Sequence, residues 1–221
     1  MNFDIVKLNQ YPIYHLKFDS QYELSSTMVR VQEYYESEFP EIKGNIFTLD
    51  QFMDAYASKN GEFSYFTDWS GFNISSNSFN GFCDVFKYQL RHKEVQLLNR
   101  VKSYVSENKE KWYMIATYGE DSEEKITINH EIAHALYYLN HDYSIEMINN
   151  LGRMNQKSYE ILKQCLIEDG YNSDVLTDEC QAYLATSTLT ELKNDYKMVD
   201  ITEEDVKPFR DTLHKFNQGI K

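Results

Sequence analysis

Cysteine, proline, glycine and positive charge are all scarce in this 221-residue chain. Its three cysteines, Cys83, Cys165 and Cys180, are odd in number and form no CxxC pair. That argues against a disulfide framework and for reduced thiols in a cytoplasmic compartment. Only 22 Lys and Arg stand against 35 Asp and Glu, a formal net charge of −13. Such a surface repels phosphates, so nucleic acid is excluded as a partner, and neutral or basic substrates are mildly favoured. No apolar segment approaches membrane-spanning length, and the start Met1-Asn2-Phe3-Asp4 lacks the basic and apolar regions of a signal peptide. The expectation is a soluble cytoplasmic protein with no membrane partner. Neither internal repeats nor low-complexity linkers interrupt it. What the chain does have is a hydrophobic share of 42% with 18 Tyr and 13 Phe, enough to bury a core in one large domain or two small lobes.

With three prolines and eight glycines, loops are marked mainly by Asn, Asp and Ser. Two strands are predicted at Phe3–Leu8 and Ile13–Phe18, joined near Tyr11-Pro12. A helix follows over Tyr22–Glu38, ending before Pro40, and a second over Asp50–Ser58, closed by Asn60-Gly61. Phe63–Phe66 reads as a strand, and Trp69–Phe82 as an irregular segment without periodicity. The aromatic run from Phe66 to Asn73 is read as a loop pinned by core anchors or lining a cleft. Val95, Leu98, Val101 and Val105 recur at helical spacing, predicting a helix over Glu94–Val105. Trp112–Tyr118 then reads as a strand, and Asp121 with Glu124 resembles a capping box. Helices are predicted downstream at Ser144–Met154, Lys157–Glu168, Asp178–Ser187 and Glu203–Asn217. The fold class expected is α+β, with a mixed lobe over 1–120, a mostly helical lobe over 121–221, and a cleft between them.

Within the expected helix lies Asn129-His130-Glu131-Ile132-Ala133-His134, an HExxH sequence. Residues four apart on a helix share a face, so His130 and His134 can grip one metal ion. Glu131 is placed to hold a water that the metal polarises. At about 100° per residue, His130, His134 and Tyr137 point one way while Ile128, Ile132, Ala135, Leu136 and Leu139 point the other. The expectation is an apolar stripe sunk in a core and a histidine face left free for chemistry.

A catalytic zinc normally has three protein ligands and one open position. His141 lies about 16 Å along the axis from His130 if the helix continues, too far for one ion, and reads instead as a helix C-terminal cation. Tyr137 and Asn140 stand where a metzincin would have Gly and His. Downstream, Thr177 reads as the N-cap of a helix with Asp178 and Glu179 in its first turn. Glu179, Tyr183 and Thr186 share one face, and small Ala182 and Ala185 permit close helix approach. A carboxylate from this helix could complete a two-His, one-acid site. Glu179 and Asp178 are rivals for that place, and the thiol of Cys180 adjoins them.

In these two segments, roughly a tenth of the chain, the sequence resembles the gluzincin class of zinc metallopeptidases. The resemblance implies that His130, His134 and Glu179 bind Zn2+ and that Glu131 is the general base. It also implies a zincin-like fold whose sheet edge pairs with an extended peptide. The chain departs from some gluzincins in having Tyr183 where they carry an Asp four residues after the ligand Glu. Asp178 is the available substitute for orienting a histidine. Tyr183 and the otherwise isolated His214 are candidates for stabilising an oxyanion. The function implied is hydrolysis of a peptide or protein substrate. The alternative is a non-proteolytic zinc-binding regulatory or interaction module on the same scaffold, and a third reading is a metal-free structural protein. Oligomeric state is not legible.

Overall fold

The computed structural model describes residues 3–8, 10–105, 111–119 and 122–218, the side chains of residues 122–126 excepted. The chain divides into two compact units, Met1–Glu124 and Lys125–Lys221. The fold is α+β. Among the described residues no helix is long and apolar enough to cross a membrane.

The N-terminal unit is built on a mixed sheet of β1 (Phe3–Lys7), β2 (Ile13–Phe18), β3 (Gly71–Ser75) and β4 (Tyr113–Tyr118), in the order β1-β2-β4-β3. β1 pairs antiparallel with β2, β2 parallel with β4, and β4 antiparallel with β3. Alternate residues Ile5, Leu16, Phe18, Phe72, Ile74, Met114 and Ala116 point to one face, as the two-residue strand period requires. They join a core with side chains of α1 (Gln21–Glu36), α2 (Leu49–Asn60), α4 (Ser76–Val85) and α5 (His92–Tyr104). Local chemistry sets the ends of these helices. The Ser20 hydroxyl accepts from the Glu23 amide at α1, and Thr48 and Gln51 form a capping box at α2. Gly61 ends α2 at φ 88°, a left-handed position suited to glycine.

Three sequence expectations fail in this unit. Phe63–Phe66 is not a strand: Tyr65–Asp68 forms the short helix α3. Its aromatic composition suggests a strand, but Asp68 accepts hydrogen bonds from the Ser64 hydroxyl at 2.7 Å and the Tyr56 hydroxyl at 2.5 Å, which curl the chain. Trp69–Phe82 is likewise not irregular, since it supplies β3 and the start of α4. Ser75, one of its apparent loop residues, caps α4 by accepting from the Ser78 amide, and Phe79 and Phe82 are buried. Of its aromatic run, Phe72 is core and Trp69 is exposed. Finally, β4 is an inner strand rather than a sheet edge: β2 and β3 take both of its hydrogen-bonding sides, so it offers no pairing edge to a peptide.

The C-terminal unit is helical: α6 (Ser122–Leu139), α7 (His141–Arg153), α8 (Gln156–Glu168), α9 (Leu176–Thr186), α10 (Leu189–Asn194) and α11 (Glu203–Asn217). The α6 range begins at residue 122, and the proposed cap Asp121 lies outside the described residues. α9 packs on α7, α8 and α11. α10 has no counterpart among the expected elements; Thr188 and Glu191 start it with a capping box. Asn140 begins α7 by accepting from the Tyr143 amide, so α6 stops at Leu139 and His141 opens the next helix. His141 is therefore not a C-terminal cation of the HExxH helix. It is exposed at a helix start.

Candidate metal centre

One turn of α6 carries His130 and His134, whose Nε2 atoms are 3.1 Å apart. The apolar side of this turn is buried as expected, at Ile132, Ala135 and Leu136. The opposite side is not left free. His134 is only 3% exposed and Glu131 8%, so the helix is buried on both faces from Glu131 to Leu136. What covers the histidines within this unit is α9.

α9 begins at Leu176, and Val175 rather than Thr177 takes the N-cap position, without a side-chain hydrogen bond. Asp178 and Glu179 still fall in its first turn. Ala182 and Ala185 are buried beside them, where larger side chains would hold the helices apart. Glu179 Oε2 lies 3.5 Å from His134 Nε2 and 3.8 Å from His130 Nε2. The rival Asp178 points elsewhere: its Oδ1 is 2.9 Å from Nδ1 of His134, the far side of the ring. Thr186, at the other end of α9, lies 3.2 Å from Nδ1 of His130. The structure thus brings His130, His134 and Glu179 together, with one ligand atom of each inside a 4.8 Å span, and gives Asp178 a different place.

These contacts determine which nitrogens carry protons. An ionised Asp178 can only accept, so Nδ1 of His134 donates to it. The Thr186 hydroxyl spends its single hydrogen on the Ala182 carbonyl at 2.7 Å, so its oxygen accepts from Nδ1 of His130. With both rings in the neutral form, each presents a bare Nε2 to the other and to Glu179. Two lone pairs and a carboxylate oxygen converge, and Glu179 Oε2 is buried without a hydrogen-bond partner. Such an arrangement can be satisfied by a proton on Nε2 or by a metal ion. In a tetrahedral zinc site with bond lengths of 2.0–2.2 Å, ligand atoms lie about 3.3–3.6 Å apart. The three separations of 3.1, 3.5 and 3.8 Å bracket that range, so the residues fit zinc.

The electrostatics agree. Burial disfavours a charged His134, but Asp178, Glu179 and Glu131 outweigh it and hold its pKa well above the ordinary value. Burial likewise works to raise the Glu179 pKa, and the imidazoles overcome it to hold the carboxyl below the usual range. A proton on His134 would occupy Nε2, so proton and metal compete for one position.

A tyrosine wall flanks the cluster. The Tyr183 ring meets His130 edge-on at 4.6 Å, and its hydroxyl is 2.9 Å from that of Tyr171. The Tyr196 ring packs on Tyr183 at a tilt of 51°, with centroids 4.8 Å apart. Burial first, then the charges of Glu179 and Glu131, push the Tyr171 hydroxyl far up, so it stays protonated. Tyr137 is half-buried, and burial followed by Asp178 raises its pKa too. His214 is exposed in the last turn of α11 and is not part of the ligand cluster. Cys180 is buried with its thiol pushed up to about 12, and it is not part of the ligand cluster. Sequence reasoning missed Tyr171 and Tyr196. Neither sits in a motif, and only the folding of the α8–α9 and α10–α11 loops brings them to Tyr183.

No protein-family model matches the chain, and no curated protein or solved structure matches it either.

Proposed function

We propose that this protein is a zinc-dependent metallopeptidase of the gluzincin kind, on a zincin-like variant of the α+β class. The observation that carries this reading is the pair of imidazoles with both Nδ1 atoms engaged and both Nε2 lone pairs converging on Glu179. His130, His134 and Glu179 would hold the ion. Zinc, when bound, polarises a carbonyl and lowers the pKa of a water toward about 7. A structural site would call for a fourth protein ligand, whereas among the described residues this cluster offers three, with the acid Glu131 next to the first in sequence. Glu131 follows the first ligand and lies close enough for its charge to act on both His134 and Tyr171. Its role is to take a proton from the attacking water and return it to the leaving amine. In this reading Tyr171, kept protonated and bonded to Tyr183, would donate to the carbonyl oxygen as charge develops there, a role the sequence suggested for Tyr183 or His214. Peptide or protein is the substrate class.

The test is incubation of zinc-loaded protein with a mixed peptide library, read by mass spectrometry. Cleavage should appear, stop on chelation, and return on adding zinc. Zinc-replete protein that cuts no peptide would replace this reading with the non-proteolytic zinc-binding module.

A further inference from the structure

Asp178 is a partly exposed carboxylate, 29% accessible, in the first turn of a helix. Left alone it would rotate into water, and a loose partner cannot hold a ring in place. It is not left alone. One turn on, Gln181 Nε2 donates to Asp178 Oδ1 at 2.9 Å. On its other side the Gln181 amide oxygen accepts from the Tyr143 hydroxyl at 2.9 Å. Tyr143 and Gln181 are both fully buried. The direction of the relay is forced, because a flipped amide would set its oxygen against the Asp178 oxygen.

Packing does not require this polar pair. The Tyr143 ring meets Phe216 edge-on at 5.5 Å, a contact phenylalanine would keep, and an apolar residue would fill position 181 without burying an amide. We infer that Gln181 and Tyr143 are positioning residues: the relay from Tyr143 through Gln181 and Asp178 to His134 locks the imidazole and sets the affinity of the centre for a divalent metal. The inference rests on reading His130, His134 and Glu179 as a metal site. Outer hydrogen-bond partners of this kind change metal affinity by about 10- to 100-fold. His130, whose outer partner is a neutral hydroxyl, is on this account the more loosely held of the two imidazoles.

The experiment compares wild type, Gln181→Met and Tyr143→Phe in full-length folded protein. Two quantities are read: the zinc dissociation constant by chelator competition, and the His134 ring Nδ1–H proton by NMR. Gln181→Met should weaken zinc binding about tenfold and broaden the ring proton through faster exchange with water. Tyr143→Phe, which keeps the fold, should weaken binding by roughly threefold, the loss of one neutral hydrogen bond, and carries the test alone if Gln181→Met does not fold. A merely structural pair would lower the melting temperature and leave both readouts of the folded protein unchanged. Wild-type affinity and an unshifted ring proton in Tyr143→Phe and in any folded Gln181→Met would overturn the inference. Wild-type protein that binds no zinc would overturn the metal-site reading itself, a distinct result.

Discussion

In the N-terminal unit a buried cation meets a counter-charge and aromatic faces. Arg30 sits 3.6 Å from Glu94, and its guanidinium lies over the Phe86 ring at 4.5 Å from the centroid. Arg91 adds a second contact to Glu94 at 2.8 Å. Charge, counter-charge and aromatic faces come from the same unit, although Nε and Nη2 of Arg30 are buried without a hydrogen-bond partner. The C-terminal unit buries charge differently. Asp178, Glu179 and Glu131 surround two imidazoles, and the innermost atoms are two Nε2 nitrogens and a carboxylate oxygen. The lesson is that burial of charge does not by itself mark a functional site. What distinguishes the candidate metal centre is that two imidazole nitrogens and a carboxylate oxygen from two helices converge within 4.8 Å, the spacing of a ligand set.

The largest expected effect that would sharpen this contrast is kinetic. Glu131→Gln should keep its zinc and fold while lowering kcat by about 100- to 10,000-fold, because an amide cannot take the proton of water. Near wild-type turnover would remove Glu131 as the base, and loss of zinc with activity would recast it as structural. Next, Arg30→Ala should cost about 3 kcal/mol of stability, through lost cation–π packing and an unbalanced Glu94, measured by denaturant unfolding. Its zinc affinity should be unchanged, and a change there would break the division between the two charge clusters.

A third comparison separates ligand from orienting partner. Glu179→Ala should weaken zinc binding by more than about 100-fold, and Asp178→Ala by about 10- to 100-fold. A larger loss for Asp178→Ala would reverse the two assignments. The smallest effect concerns Glu33 in the N-terminal unit, whose pKa burial raises despite hydrogen bonds to Ser37 and Tyr65. A folded pKa above the unfolded value means its contribution to stability is full at low pH and declines as pH rises through the folded pKa. Glu33→Gln should therefore raise the melting temperature slightly at pH 7, with the gain shrinking toward pH 4. A wild type more stable than the variant at pH 7 would contradict the sign.

His130 and His134 were legible because helical spacing alone puts them on one face, and Glu179 because it shares a face of α9 with Tyr183 and Thr186. All three of those α9 residues contact His130. Elements with strong periodicity or clear punctuation, such as β2 and α11, could be read to the residue. Ser64, Ser75 and Thr188 could not, since serine and threonine look like loop residues until their hydroxyls are seen bonding at a helix start. The inner position of β4 was equally hidden, because strand order comes from pairing between distant segments. The roles of Gln181, Tyr143 and Thr186 depend on which donor is already spent, and that is decided only by packed neighbours.

The most direct test of the central claim is a crystal structure of the zinc-soaked protein with diffraction data on either side of the zinc absorption edge. The account predicts one strong anomalous peak per chain at about 2.0–2.2 Å from Nε2 of His130, Nε2 of His134 and a carboxylate oxygen of Glu179, with Asp178 still on Nδ1 of His134. A peak bound through Nδ1, a peak away from these residues, or no peak at saturating zinc would contradict it.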